Sequence, residues 1–526
     1  MEFKLIEALD ELSAFYKDDL NMVKDLIFEC KKHFNNEQIE MIIKAYKCAN
    51  DLHRGQKRKS GEPYIIHPVR VAHILLTEIH LIDSDAICAA LLHDTIEDTG
   101  ITEEALAEMF NKDIAYLVAG VSKIKDLDFT SKSEEEQYND CILLRSCAKD
   151  IRVIMIKIAD RTHNMRTLIY KGDKSLIEKY ENSTSPIEEL KIDSNAKQNA
   201  KSIETITLFV PLAKRIGANL IANELEDISN MYLENSLFRE IRGNIKNFER
   251  DNAEKVEEIL ETLEDSLLSA NISHDIRAKT KTYSEVSKYL KRKKTNSISE
   301  VPGLLSFEIS VNKKEDCYQV LSVLSSVYKD YKVNVVDFIN YPKANGYKAI
   351  HLEVQDLMGY TIVFKICTHK MKLINDHGIA ALTELYPSKN IKSIQDSLNE
   401  TNPFVMSLQS IGDLYKDNNS YFKHIKREIL SKQITIKTKN GDEFTFPNGA
   451  TVLDLAFRLH TEVGAKAIGA IVNGVNVSNN YVLQDGDNVN VITDENQVFQ
   501  SKESIDFAMT SYAKREMRRA LRRNKK

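Results

Sequence analysis

Apolar residues recur at helical spacing over about the first 200 positions, with few glycines or prolines among them. The pattern predicts a run of helices, interrupted by the charged stretch Ser131–Asp140 (SKSEEEQYND), which reads as a mobile loop or a helix, a solvated loop rather than a lid. Helical period continues over 201–271, where acidic and apolar residues alternate as in Asp251–Ala270, and this segment reads as a helical linker. From about 272 the period shortens. Ser306–Val311, Ala349–Val354 and Tyr360–Thr368 are β-branched or alternating runs that read as strands, with a helix over Cys317–Tyr331 between them. A second β region opens with a hairpin centred on Asn440-Gly441, followed by a helix after Thr451 and strands from Ala470 to Thr493. The expected organisation is an all-α domain (1–200), a helical linker (201–271), a mixed α/β domain (272–390), a second helical linker (391–432), a β-grasp unit (433–494) and a basic tail (495–526).

Composition narrows the class. A chain of 526 residues with 42% hydrophobic content can bury several cores. Its net charge of −6 gives no overall signature of nucleic-acid binding. Seven scattered cysteines include no CxxC pair, which argues against a zinc ribbon or a disulfide scaffold and fits a reducing compartment. The opening MEFKLIEALDEL carries acids and no apolar h-region, and no apolar run approaches the roughly 20 residues a membrane span needs. A cytoplasmic protein with no membrane partner is expected.

The candidate chemistry lies in three separated segments. AALLHDTIEDTG (Ala89–Gly100) leads an apolar run into His93 and Asp94, with Glu97 and Asp98 following. On a continuous helix His93 lies over Glu97 and Asp94 over Asp98. Upstream, HRGQKRKSGEPYIIHP (His53–Pro68) offers His67; downstream, DIRVIMIKIADRTHNMRTL (Asp150–Leu168) offers Asp160, with Asn164 on the same helical face. Buried charges persist when paired or metal-bound. Two histidines and two aspartates form a mixed nitrogen and oxygen set suited to Mn²⁺, Fe²⁺ or Zn²⁺ rather than Ca²⁺ or Mg²⁺. His163 is rotated off the Asp160 face and reads as a supporting or packing histidine, and His53 as structural.

These three segments resemble, in order and spacing, the hydrolase domain of the RelA/SpoT homologues, the long enzymes that make and destroy the alarmone (p)ppGpp. The resemblance implies an HD-superfamily domain holding one Mn²⁺ through His67, His93, Asp94 and Asp160. It implies that Glu97 and Asp98 orient or deprotonate the attacking water and that Asn164 helps hold substrate or water. It places Arg58, Lys59 and Ser60 on the nucleotide and Tyr64 near the base or ribose. A metal lowers the pKa of water, a carboxylate takes the proton, and Arg and Lys hold a diphosphate. Hydrolysis of the 3′-diphosphate to GDP or GTP and pyrophosphate follows.

The α/β region resembles the family's synthetase domain, a nucleotidyltransferase-like fold, in degenerate form. DFINYPKANGYKAIH (Asp337–His351) matches the nucleotide-cradling run and retains Lys343, Asn345, Tyr347 and His351 as a candidate regulatory nucleotide pocket. The acids that pyrophosphoryl transfer needs align with Gly303 and Val363, neither of which can coordinate Mg²⁺. Glu308 stands where the family has arginine, and Lys365 and Cys367 replace its glutamine and arginine. Synthetase activity is expected to be absent. Phe446–Gly464, with the later VNG and DGD, resembles a TGS domain, a module that can contact tRNA on the ribosome; Ala465 in place of a common histidine weakens that contact here. Arg518, Arg519, Arg522 and Arg523 of the tail form a solvated basic face that can touch RNA phosphates.

The reading is therefore a manganese-dependent (p)ppGpp 3′-pyrophosphohydrolase that lowers the alarmone in the stringent response. Two alternatives stand beside it: an HD hydrolase of another nucleotide, such as an NADPH phosphatase, and a non-catalytic nucleotide- or tRNA-binding regulator.

Overall fold

The computed structural model describes residues 19–123, 131–172, 194–343, 346–355, 361–387, 391–439, 441–496 and 504–523. The chain divides into two compact units. Met1–Lys171, Ile379–Ser431 and Ser504–Lys526 make one; Gly172–Gly378 and Lys432–Glu503 make the other.

The described part of the first unit is helical. Its core is packed by Ile42, Leu75, Cys88, Leu92, Leu117, Val153 and Ile156, all fully or almost fully buried. Helix starts carry local signals. Asn35 forms a capping box with Gln38, and the Asp83 carboxylate accepts from the Ala86 amide at 2.8 Å. Of the two readings of the charged stretch, loop or helix, the helix holds: the stretch begins Lys132–Lys149. Ser131 caps it by accepting from the Glu134 amide at 3.2 Å, so the S-x-x-E spacing is a start signal rather than a break.

The helices Ile391–Thr401, Pro403–Leu414 and Asn418–Ile425, within the stretch read as a linker, pack into this same unit. The Arg145 guanidinium donates to the Lys416 carbonyl at 2.9 Å and lies over the Tyr421 ring at 4.0 Å. Gln395 accepts from the Ile151 amide at 2.9 Å. The tail helix Ser511–Arg523 is docked as well. It buries Ala513, Met517 and Ala520, and the buried Glu428 carboxylate accepts from the Ser511 amide at 2.7 Å and its hydroxyl at 2.6 Å. Arg518, Arg519 and Arg522 remain on its exposed face.

The second unit holds two five-stranded sheets. The first is built from β1 (His274–Thr280), β2 (Leu305–Val311), β3 (Lys332–Asp337), β4 (Ile350–Gln355) and β5 (Thr361–Thr368), in the order β1-β2-β5-β4-β3. Only β2 and β5 run parallel; the other neighbours are antiparallel. Its core joins Phe307, Ile309, Leu352, Phe364 and Ile366 to Leu263 and Leu267 of the helix Ala253–Ser269. The central strands β2, β4 and β5 match the sequence expectation. The outer strands β1 and β3 were not expected, because edge strands with exposed residues lack apolar alternation. The second sheet, β6 (Gln433–Thr438), β7 (Glu443–Pro447), β8 (Ala467–Val472), β9 (Val475–Val477) and β10 (Asn488–Thr493), runs β7-β6-β10-β8-β9 around its own core of Ile436, Ala450, Leu455 and Val489. Asn440 lies outside the described residues; Gly441 at φ +91° supplies the left-handed residue of the β6–β7 turn.

Candidate metal centre and the second pocket

The helix expected to run through His93 and Asp98 is interrupted. Ser84–Leu92 ends, His93 and Asp94 form the joint, and Thr95–Thr99 resumes the helix. Asp98 still bonds through its amide to the Asp94 carbonyl at 2.9 Å, but Glu97 turns its carboxylate to the Lys123 amide at 3.3 Å. The joint frees both His93 and Asp94 to face the helices Ile66–Thr77 and Arg152–Arg166, which carry His67 and Asp160.

Those four side chains converge. Ligand atoms of His67, His93 and Asp160, all buried, lie within 4.8 Å of one another. Asp94 closes the group, with its oxygens 3.2 Å from His93 Nε2 and 3.6 Å from His67 Nε2. Asp160 Oδ1 lies 3.2 Å from His67 Nε2 and accepts from Asn164 Nδ2 at 2.5 Å; Oδ2 pairs with the buried Lys157 ammonium at 3.0 Å.

The histidine ring orientations are fixed from behind. His93 Nδ1 donates to the Ala90 carbonyl at 2.8 Å, which leaves Nε2 unprotonated in the neutral ring. That Nε2 is buried and has no hydrogen-bond partner, since Asp94 is near it but misaligned. His67 Nδ1 lies 2.7 Å from His163 Nδ1. Burial, with His67 and Arg58 nearby, holds His163 down at about 2, so it stays neutral, with one proton shared between the two Nδ1 atoms. Both Nε2 atoms therefore face the carboxylates, where a bound cation would replace any proton they carry. Burial opposes ionisation of Asp160, but Lys157 and the histidines outweigh it and keep the carboxyl well below its ordinary range. Burial likewise disfavours a charged His93, but Asp94 and Asp160 push it up to about 9. Two aimed nitrogens, one of them the buried His93 Nε2 with no hydrogen-bond partner, and two anionic carboxylates are a donor set that fits a divalent cation.

Above the cluster opens a cavity of about 350 Å³. Arg58, Lys59, Ser60, Asn164, Glu97 and Asp98 all line it. Arg58 donates to Asn164 Oδ1 and Thr167 Oγ1, each at 3.3 Å. Tyr64, expected beside a base or ribose, lines the cavity too, but its hydroxyl is bound to the acids, at 2.6 Å from Asp94 and 3.2 Å from Asp98. Sequence reasoning missed Lys123, Lys157, Tyr170 and Lys171, which also line the cavity. Lys157 was findable, as a lone lysine inside an apolar run three residues before Asp160. Lys123 and Lys171 carry no local signal and are gathered by the fold. His53 stacks on Tyr64 at 4.6 Å.

The second pocket, about 280 Å³, lies in the other unit and is lined in part by Tyr347. Tyr347 Oη lies 2.8 Å from His351 Nε2, and the Lys343 ammonium sits over the Tyr347 and Phe338 rings at 5.1 and 4.5 Å. Asn345 lies outside the described residues. Gly303, at φ +60°, is packed so tightly that an added Cβ would come within 2.6 Å of Val363. The two positions where the synthetase resemblance expects acids are thus in direct contact, and neither offers an oxygen.

Comparison with known proteins matches three family descriptions: HD domain over 45–219, "Region found in RelA / SpoT proteins" over 277–414, and TGS domain over 434–493. A probable guanosine-3′,5′-bis(diphosphate) 3′-pyrophosphohydrolase of Synechocystis is 32% identical over 92% of this chain and 61% of its own. The bifunctional (p)ppGpp synthase/hydrolase SpoT of Escherichia coli is 32% identical over 93% of this chain and 66% of its own. A GTP pyrophosphokinase of Myxococcus xanthus is 31% identical over 91% of this chain and 60% of its own. The chain thus spans between three fifths and two thirds of the length of these curated relatives. Among the described residues no helix is long and apolar enough to cross a membrane.

Fold and site together define an HD-domain protein with a candidate divalent-metal site, followed by a nucleotidyltransferase-like domain and a TGS domain. The chain belongs to the RelA/SpoT homologue family.

Proposed function

We propose that the first unit hydrolyses the 3′-diphosphate of (p)ppGpp, consuming one water and releasing pyrophosphate and GDP or GTP. The reading rests above all on the orphaned His93 Nε2, buried among His67, Asp94 and Asp160 at the floor of a cavity with cations along its wall. His67, His93, Asp94 and Asp160 would hold Mn²⁺, whose mixed nitrogen and oxygen preference suits them. Such an ion, when bound, supplies Lewis acidity and eases deprotonation of water. Glu97 and Asp98 hold and accept the water's proton; the Lys123 amide and the Tyr64 hydroxyl keep their carboxylates in place. Arg58, Lys59 and Ser60 bind the nucleotide, and Asn164 links Arg58 to Asp160. The names of the relatives as 3′-pyrophosphohydrolases support this substrate.

The middle domain, in this reading, makes no alarmone. Gly303 and Val363 replace the acids that phosphoryl transfer requires, although some relatives are named for synthesis. Purified protein given Mn²⁺ and ppGpp should release GDP and pyrophosphate, and ATP with GTP should yield no ppGpp. Inertness towards ppGpp with Mn²⁺ supplied would overturn the first claim, and alarmone made from ATP and GTP the second.

A further inference from the structure

One ladder row crosses four strands of the larger sheet. Arg277 on β1 faces Glu308 on β2, Glu308 faces Lys365 on β5, and Lys365 faces His351 on β4. The flanking Phe307 and Ile309 are fully buried in the core, so the row occupies the opposite face. There Glu308 gathers three ammonium groups. Lys372 lies 2.8 Å from Oε2, and Lys279 and Lys365 lie 3.5 and 3.6 Å from Oε1. Burial opposes ionisation of Glu308, yet the lysines hold its carboxyl down at about 2. In the adjoining cavity Lys279, Lys365 and Lys372 are balanced by Glu285, Glu308 and Asp376.

Lysines converging on one pair of oxygens are what a phosphate group meets in a nucleotide site. Here the anion belongs to the chain and sits on a strand with neighbours on both sides. It cannot drift out as a bound ion can. We propose that Glu308 is a resident counter-anion filling the oxyanion position of this cavity, and so its specificity-determining residue. With Glu308 in place the cavity refuses diphosphates. Once its charge is removed, the lining carries a net positive charge and three lysines with no shared carboxylate, and it takes them up. Glu308 thus excludes phosphates by saturating their partners, which a bare repelling charge would not do. The proposal is independent of the reaction assigned to the first unit.

The test uses full-length protein in chelator-treated buffer, titrated calorimetrically with inorganic pyrophosphate. Glu308→Gln should show a binding event absent from the unaltered protein, and Glu308→Gln with Lys372→Met should lose it again. No gain in Glu308→Gln, or an event surviving Lys372→Met, overturns the proposal. Amine acylation read by mass spectrometry tests the unaltered chain without relying on a variant to fold. Pyrophosphate should leave labelling of Lys365 and Lys372 unchanged, and protection of either lysine overturns the proposal.

Discussion

His67 and His163 meet nitrogen to nitrogen, Nδ1 to Nδ1, at 2.7 Å. One proton lies between them, and burial keeps the His163 ring neutral. Residues that orient a metal-binding imidazole from behind typically contribute about 10–100-fold to metal affinity. His163→Phe should therefore weaken Mn²⁺ binding by about that factor while leaving the fold intact. Metal titration followed by calorimetry, with circular dichroism as the fold control, checks it; unchanged affinity removes the supporting role.

Asp160 and Glu97 should separate metal binding from turnover. Asp160→Ala removes a carboxylate shared by both histidines and Lys157, so both metal content and hydrolysis should be lost. Glu97→Ala should retain metal and slow kcat by about 10²-fold or more, the usual contribution of a positioned acid or base. Elemental analysis beside steady-state kinetics on the two variants reads both outcomes.

The Glu308 cage predicts a pH signature in stability. Its carboxyl is depressed in the folded state to about 2, from an ordinary 4.5. A depressed carboxyl stabilises the fold above its unfolded pKa, and that contribution is lost as pH falls through the folded value. The window is pH 4.5 down to 2, and the shift corresponds to on the order of 3 kcal/mol. Thermal melts of Glu308→Gln should show a shallower fall in Tm across that window than the unaltered protein. Parallel curves would show that the three lysines do not stabilise the charge.

Gly303 should tolerate no side chain. Its positive φ and the 2.6 Å approach of Val363 to an added Cβ both oppose one. Gly303→Ala should cost about 1–3 kcal/mol, read as a lower midpoint in urea unfolding. Restoring an acid at this position alone would bring the same clash, so Gly303→Asp should not revive synthesis.

Much of this was legible in the sequence because it was local. His67, His93, Asp94 and Asp160 lie in three dense segments, and the central strands β2, β4 and β5 are short alternating or β-branched runs. What escaped was non-local. Lys123 and Lys171 reach the first cavity only through the packing of distant helices. The joint at His93 and Asp94 breaks a helix that spacing alone drew as continuous. Glu308 stood only as a replaced arginine, because its lysine partners lie on β1, on β5 and on the helix His369–His377.

The first unit is assembled from three stretches of chain, the last of them the helix Ser511–Arg523 held by Glu428. During translation the metal-site residues leave the ribosome well before the segment that seals their unit. The unit therefore reaches its finished form only after both sheets of the other unit have been made, and that helix's seat stays uncovered until then.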